Sequence, residues 1–186
     1  MYGDFRVHLS KALKLTVLSA FSLLGPTVAE EHGSFHGLLS VYRCEVVHRL
    51  EQIYAAANPR SDRDRFIAVI VPGHPHGYVQ CIFHDKQSRL YCEASSGFYY
   101  GREGAPRTFY QPSQTIDALA RLGFDTDDSK GNFNIDFGVD APPDFNAIAD
   151  FVLEALHDGY GARGNMTLKF NTPFARRTPS TCVPVG

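Results

Sequence analysis

Two short segments of alternating apolar residues, separated by a turn, constrain the fold of this 186-residue chain most strongly. Residues 78–84 and 89–94 are typical of strands, and Asp85-Lys86-Gln87-Ser88 between them favours a turn. A hairpin centred on that turn places Cys81 directly opposite Cys92. If the loop has four residues, this pair falls in the non-hydrogen-bonded class, whose Cα atoms lie about 4.5 Å apart, within reach of a disulfide. A tighter loop would strain the bridge, and two buried free cysteines are the alternative.

The first 29 residues have the pattern of a secretory signal peptide. A basic lead precedes an apolar stretch over 15–24, and Gly25-Pro26 breaks it before small residues that end at Ala29. Cleavage there would begin the mature chain at Glu30. The apolar stretch is too short to span a bilayer, which takes ~20 residues, so an uncleaved anchor is the weaker alternative. We expect a periplasmic or secreted protein, in a compartment that favours disulfides.

Composition and charge restrict the partners. The chain has 18 Lys and Arg residues against 20 Asp and Glu residues, and the leader carries three basic residues and one acidic residue, so the mature chain is more acidic still. This balance argues against nucleic acid or an anionic membrane surface as the main partner. Beyond the leader no stretch is apolar enough for a membrane helix, so we expect no membrane insertion. The sequence after the leader predicts one domain over 30–175 and a Pro-rich tail over 176–186.

The other two cysteines lie far apart in the sequence. Residues 34–57 show helical spacing of apolar side chains, and Cys44 falls almost opposite the apolar stripe. Cys182 lies in the Pro-rich tail. In an oxidising compartment a bridge between them would hold the tail against the helix. Free or intermolecular thiols are nearly as well supported by the sequence.

The remaining pattern indicates the fold class. Residues 66–71 are apolar on both faces, as in a central strand. Apolar and polar residues alternate over 132–139, as they do in a half-buried strand. Helices are predicted over 113–123 and 142–159, and a last strand over 166–170. The order is α-β-β-β-α-β-α-β. It predicts an α+β fold, with a mostly antiparallel sheet and helices packed on one face.

Four short segments of the chain together resemble a known family. They are Tyr91-Cys92-Glu93-Ala94-Ser95-Ser96 after a strand, Leu119-Ala120-Arg121-Leu122-Gly123-Phe124 at a helix end, Asn132-Phe133 at a strand opening, and the helix over 149–156. The family is that of the YbjN-like proteins, relatives of type III secretion chaperones. The resemblance covers roughly 35–172 and implies a chaperone-like α+β domain that binds peptide or protein segments and has no catalytic residues. Those relatives are typically cytoplasmic, whereas this chain has a leader and paired cysteines.

A peptide-binding function needs exposed aromatic side chains near a sheet. Phe98, Tyr99 and Tyr100 follow the second hairpin strand and are the candidates. Ordinary packing at a strand end is at least as good an explanation of these three residues. The expected partner is a peptide or protein, whose identity the sequence does not indicate.

Catalytic and cofactor motifs give little support to an enzyme. Ser95 and Ser96 lack the first glycine of a nucleophile elbow and precede aromatic residues rather than a helix. We therefore expect a non-enzymatic protein without a cofactor. The alternative is a metal-binding or metal-dependent protein that uses His74, His76 and His84. Because loop histidines beside Pro and Gly are usually solvated, we expect no metal there.

Overall fold

A computed structural model describes residues 33–56, 65–74, 76–100, 109–173 and 182. The predicted leader and most of the predicted tail lie outside these residues. Within the described ranges, three α-helices and a five-stranded antiparallel sheet follow each other in the predicted order. The α+β prediction is therefore confirmed.

Two of the three described helices begin at polar side chains that cap free backbone N–H groups. Helix α1 (Phe35–Ala55) follows Ser34, whose Oγ accepts a 3.0 Å hydrogen bond from the N–H of Gly37. Helix α2 is Ser113–Arg121, and Gly123 beyond its end has the positive φ typical of a helix terminus. Helix α3 (Phe145–Glu154) starts at Asp144 and continues into a π-helical turn, Ala155–Gly159.

The sheet has the strand order β4-β3-β2-β1-β5, with every neighbouring pair antiparallel. The β2–β3 hairpin turns through Asp85–Gln87 and Ser88, so its loop has four residues, and Cys81 pairs with Cys92 as the register predicts. The strands are β1 (Phe66–Ile70), β2 (Tyr78–His84), β3 (Arg89–Ala94), β4 (Phe133–Gly138) and β5 (Lys169–Asn171).

Strand β5 is shorter than the predicted 166–170, and it starts later. The hydroxyl of Tyr42 in α1 donates to the carbonyl of Met166 and accepts a 3.2 Å hydrogen bond from the N–H of Leu168. These two backbone groups are thus held by a helix side chain, and pairing with β1 begins only at Lys169. The alternation of apolar and polar residues over 166–170 gives no sign of this competing hydrogen-bond partner.

The helices pack against one face of the sheet, as predicted. Alternate side chains of β2 and β3 enter the core with residues of all three helices, among them Phe83, Leu90 and Leu119. The intervening side chains point to the other side. We call this other side the second face; its central residues are Gln80, Ile82, Tyr91 and Glu93, all partly buried.

Two disulfides link the described cysteines. Cys81 and Cys92 are buried in the core, with Cα atoms 4.0 Å apart, close to the separation expected for a non-hydrogen-bonded pair. Cys44, exposed on α1, is joined to Cys182 across a Cα separation of 5.5 Å. Of the two alternatives for Cys44, the structure therefore has the bridge. No helix within the described ranges is long and apolar enough to cross a membrane.

We predict that Cys81→Ala with Cys92→Ala lowers the free energy of unfolding by less than the ~3 kcal/mol expected for a 15-residue loop. The cysteines are 11 positions apart and strand pairing already restrains them, so the bridge removes little additional entropy from the unfolded chain. Urea unfolding of the oxidised wild type and the double variant measures the difference. Non-reducing peptide mapping is the control, and a Cys81–Cys44 linkage would contradict the register.

Candidate functional site

A pocket of about 120 Å³ opens where β2 begins and β3 ends. Residues from three separate parts of the chain meet there: the approach to β2, the segment after β3, and the residue before β4. The lining residues are His76, Tyr78, Ser95, Gly97, Tyr99, Tyr100 and Asn132.

Hydrogen bonds join the β4 approach to the strands beside it. Asn132, which is buried, donates from Nδ2 to the hydroxyl of Tyr78 at 2.7 Å and accepts at Oδ1 from the N–H of Ser96 at 3.3 Å. The Oγ of Ser96 donates to the carbonyl of Gly131 at 2.8 Å. These bonds fix the polar wall of the pocket without any charged group.

The Ser95 carbonyl holds the other side of the pocket in place. It accepts a 2.9 Å hydrogen bond from Nε2 of Gln111 and a 2.8 Å hydrogen bond from the hydroxyl of Tyr160, and both donors are buried. The same Gln111 nitrogen donates to the carbonyl of His76 at 3.1 Å. Burial raises the pKa of Tyr160, so its phenol stays a neutral donor.

Aromatic rings form the rim. The ring of His76 lies between those of Tyr100 and Phe109, with centroid separations of 4.2 and 4.3 Å. Tyr99 is 69% exposed and Tyr100 is 50% exposed. Large aromatic side chains with this much exposure beside a pocket present ring surface to solvent that no described residue covers.

The structure separates the three predicted aromatic candidates into two roles. Tyr99 and Tyr100 line the pocket, whereas Phe98 is partly buried, packs edge-on against Tyr99 at 5.0 Å and does not line it. The N–H of Phe98 donates to Oγ of Ser96 at 3.1 Å. Phe98 therefore packs at the strand end, whereas Tyr99 and Tyr100 are exposed to solvent.

The three candidate metal-binding histidines do not come together. His74 and His76 precede β2, while His84 ends it, about 20 Å away at ~3.3 Å per strand residue. His84 Nε2 lies 3.1 Å from an Asp136 carboxylate oxygen. The described residues contain no group of three or more His, Cys, Asp or Glu side chains placed to hold a metal ion.

The loop histidines are also less solvated than the sequence suggests. His74 and His76 are both partly buried, and this burial lowers the pKa of each imidazole below 6.5, so both are neutral at pH 7. The Nε2 atom of His76 is buried without a hydrogen-bond partner. It is a polar atom beside the pocket that no described group satisfies.

Negative charge lies next to the pocket on the second face. The hydroxyl of Tyr91 donates to the Glu93 carboxylate at 3.1 Å, and burial together with that carboxylate raises the pKa of Tyr91 to about 12. Burial, with a smaller effect of Glu93, also raises the pKa of Tyr78. Both phenols are neutral at pH 7, and the nearby charge is that of Glu93.

Sequence reasoning singled out His76, Tyr99 and Tyr100 but missed the residues that build the polar wall of the pocket. Tyr78, Asn132 and Gln111 come from positions that are distant in sequence, and only the folded sheet brings them together. A polar residue at a predicted strand start, such as Asn132, was the one available signal. No family model, curated protein or solved structure matches this chain. The resemblance to YbjN-like proteins stays a prediction.

We predict that Gly97→Ala destabilises the protein more than Gly73→Ala does. Both glycines have positive φ, +82° and +80°, where an L side chain costs about 1–2 kcal/mol. A Cβ at Gly97 would also lie 2.4 Å from the Phe109 ring, whereas one at Gly73 meets nothing within 4 Å. The difference between the two losses therefore reports the contact between Gly97 and the rim.

Urea unfolding of both variants measures these losses. Equal losses would mean that the Phe109 ring moves aside freely, and the rim would then not be a fixed structure.

Proposed function

We propose that this protein is an exported, non-catalytic binding module that captures an extended peptide or protein segment at the pocket and the adjoining second face. The observation that carries the proposal is the pair of exposed rings, Tyr99 and Tyr100, beside a pocket with a fixed polar wall. Tyrosine rings supply large contact area with little loss of side-chain entropy, which is why they concentrate in binding surfaces.

The size of the pocket supports a peptide rather than a whole small molecule. Sites for drug-sized ligands have roughly 300–1,000 Å³. A volume of about 120 Å³ suits one side chain of a larger ligand. The rest of such a ligand would lie along the second face, where backbone and side-chain contacts add to the affinity.

The arrangement of the polar groups supports binding rather than catalysis. A serine nucleophile needs a base within hydrogen-bond distance. Within the described residues, the buried His76 Nε2 has no hydrogen-bond partner, and the Oγ of Ser96 donates to the carbonyl of Gly131. The Ser96 hydroxyl thus fixes the pocket wall, as a structural hydrogen bond of a binding site does.

Export to the periplasm or the exterior is the second part of the proposal. Two disulfides, one of them solvent-accessible at Cys44, are in keeping with an oxidising compartment, and the chain begins with a leader pattern. A peptide-binding module there would meet unfolded or extended segments of other exported proteins.

We predict that immobilised wild-type protein enriches peptides from a random phage-displayed library, and that Tyr99→Ala with Tyr100→Ala lowers their recovery at least about tenfold. Truncating a central aromatic in an interface typically costs 2 kcal/mol or more, and about 1.4 kcal/mol corresponds to a tenfold change. Tyr110→Ala is the matched control, because Tyr110 is 65% exposed but does not line the pocket. Equal recovery on all three proteins would contradict the proposed site.

We predict that the exported protein begins at Glu30. Intact-mass measurement on protein from an extracytoplasmic fraction would show loss of residues 1–29, whose small-residue ending at Ala29 fits a cleavage site. A soluble cytoplasmic protein that keeps the full leader would overturn the localisation, while leaving the peptide-selection result to decide the binding function.

A further inference from the structure

The charges around the pocket indicate what kind of side chain it can hold. The lining residues that the structure describes include no carboxylate, ammonium or guanidinium group, and His76 among them is neutral at pH 7. The charged group that acts on its Tyr78 wall is the Glu93 carboxylate. Among the charges of the described residues, a ligand group at this wall therefore faces the negative charge of Glu93.

Strand register places Glu93 next to the pocket. Glu93 pairs with Gln80, which is two residues beyond Tyr78 on β2, and Ser95 lies two residues beyond Glu93 on β3. Because side chains two residues apart share a face, Glu93 is on the same side of the sheet as Tyr78, about 7 Å further along the strands. The hydrogen bond from Tyr91 holds this carboxylate in place and leaves it other lone pairs for a ligand.

The aromatic rings, like Glu93, favour a positively charged ligand group. The face of a tyrosine ring carries partial negative charge, and a cation within about 6 Å of its centroid is attracted to it. Tyr99 and Tyr100 present such rings to solvent at the pocket, and Tyr78 supplies a third ring at its wall.

Described cations of the sheet lie further off. Arg89, at the opposite end of β3, donates to the Asp136 carboxylate at 3.1 Å. Lys169 on β5 pairs with Ile70, which pairs with Tyr78, so it is two strands, or about 10 Å, away from the pocket wall. At physiological ionic strength, charges separated by about 8 Å or more in solvent are largely screened. Lys130, two residues before Asn132, interacts with the Asp127 carboxylate. Among the described strand residues, an anionic ligand group at the Tyr78 wall would thus meet the Glu93 carboxylate and no cation within this distance.

We infer that the pocket is a subsite for a positively charged side chain, arginine or lysine, of the peptide ligand. Its aromatic rings would cover the flat or methylene surface of that side chain, and Glu93 would neutralise its charge. The inference rests on the proposed peptide-binding function and names the residue type that the pocket selects.

A titration with four blocked pentapeptides tests the inference. Each has the form acetyl-Gly-Gly-X-Gly-Gly-amide, where X is arginine, lysine, citrulline or glutamate. Citrulline keeps the shape of arginine but lacks its charge. The amide signals of Gly97, Tyr99 and Tyr100 in ¹H–¹⁵N spectra of the full protein report binding at the pocket.

We expect the arginine and lysine peptides to shift these signals, and the citrulline peptide to bind at least roughly fivefold more weakly than the arginine peptide. Glu93→Gln should weaken binding of the arginine peptide about threefold or more and leave binding of the citrulline peptide unchanged. Glu51→Gln, which makes the same change in net charge at an exposed position on α1, is the matched control. Tyr99→Leu tests the ring without altering charge or the Tyr91–Glu93 bond.

The outcomes separate the two proposals. Equal binding of the arginine and citrulline peptides, or a preference for glutamate, overturns the cationic subsite while supporting peptide capture at the pocket. If Glu51→Gln weakens binding as much as Glu93→Gln does, the attraction is only that of net charge and the subsite is overturned. The cationic subsite is also overturned if the enriched library peptides need Tyr99 and Tyr100 but contain no basic residue. If none of the four peptides shifts the signals and the library selection also fails, both proposals are overturned.

Discussion

The register of the β2–β3 hairpin is the constraint on which the rest of the structure depends. With Cys81 opposite Cys92, both cysteines lie in the core and Glu93 lies on the second face. Because side chains alternate along a strand, a slip of one residue would exchange the two faces. The bridge prevents that slip covalently. It therefore secures the core and, on the opposite side of the same strands, the position of Tyr78.

A second constraint comes from buried polar groups at the end of the hairpin. Backbone carbonyls that leave a sheet need new donors, and an unpaired buried carbonyl costs about 1–3 kcal/mol. The Ser95 carbonyl meets this need with donors from Gln111 and Tyr160, which come from two different segments. These bonds hold the segments at the strand end, and Gly97, which has no side chain, lets the Phe109 ring pack directly against that end.

Local sequence patterns predicted much of the fold. Alternation, turn residues and helix caps act between near neighbours, so the hairpin, α1 and the order of elements could be predicted without a structure. The length of β5 could not, because the competing Tyr42 hydroxyl lies 124 positions away from Met166. The candidate site likewise has some features that depend on near neighbours and others that depend on distant positions. Phe98, Tyr99 and Tyr100 were all candidates for exposed rings, and only the last two are exposed. Their polar neighbours depend on contacts between distant positions, such as Asn132 with Tyr78.

The Cys44–Cys182 bridge gives the molecule a closed covalent topology. Its two cysteines are 138 positions apart, so the whole five-stranded sheet and both later helices lie inside one ring of chain. A single cut by a protease anywhere between these residues opens the ring but releases no fragment, since both halves stay joined through sulfur. A molecule nicked in this way therefore remains one covalent particle rather than two separate fragments.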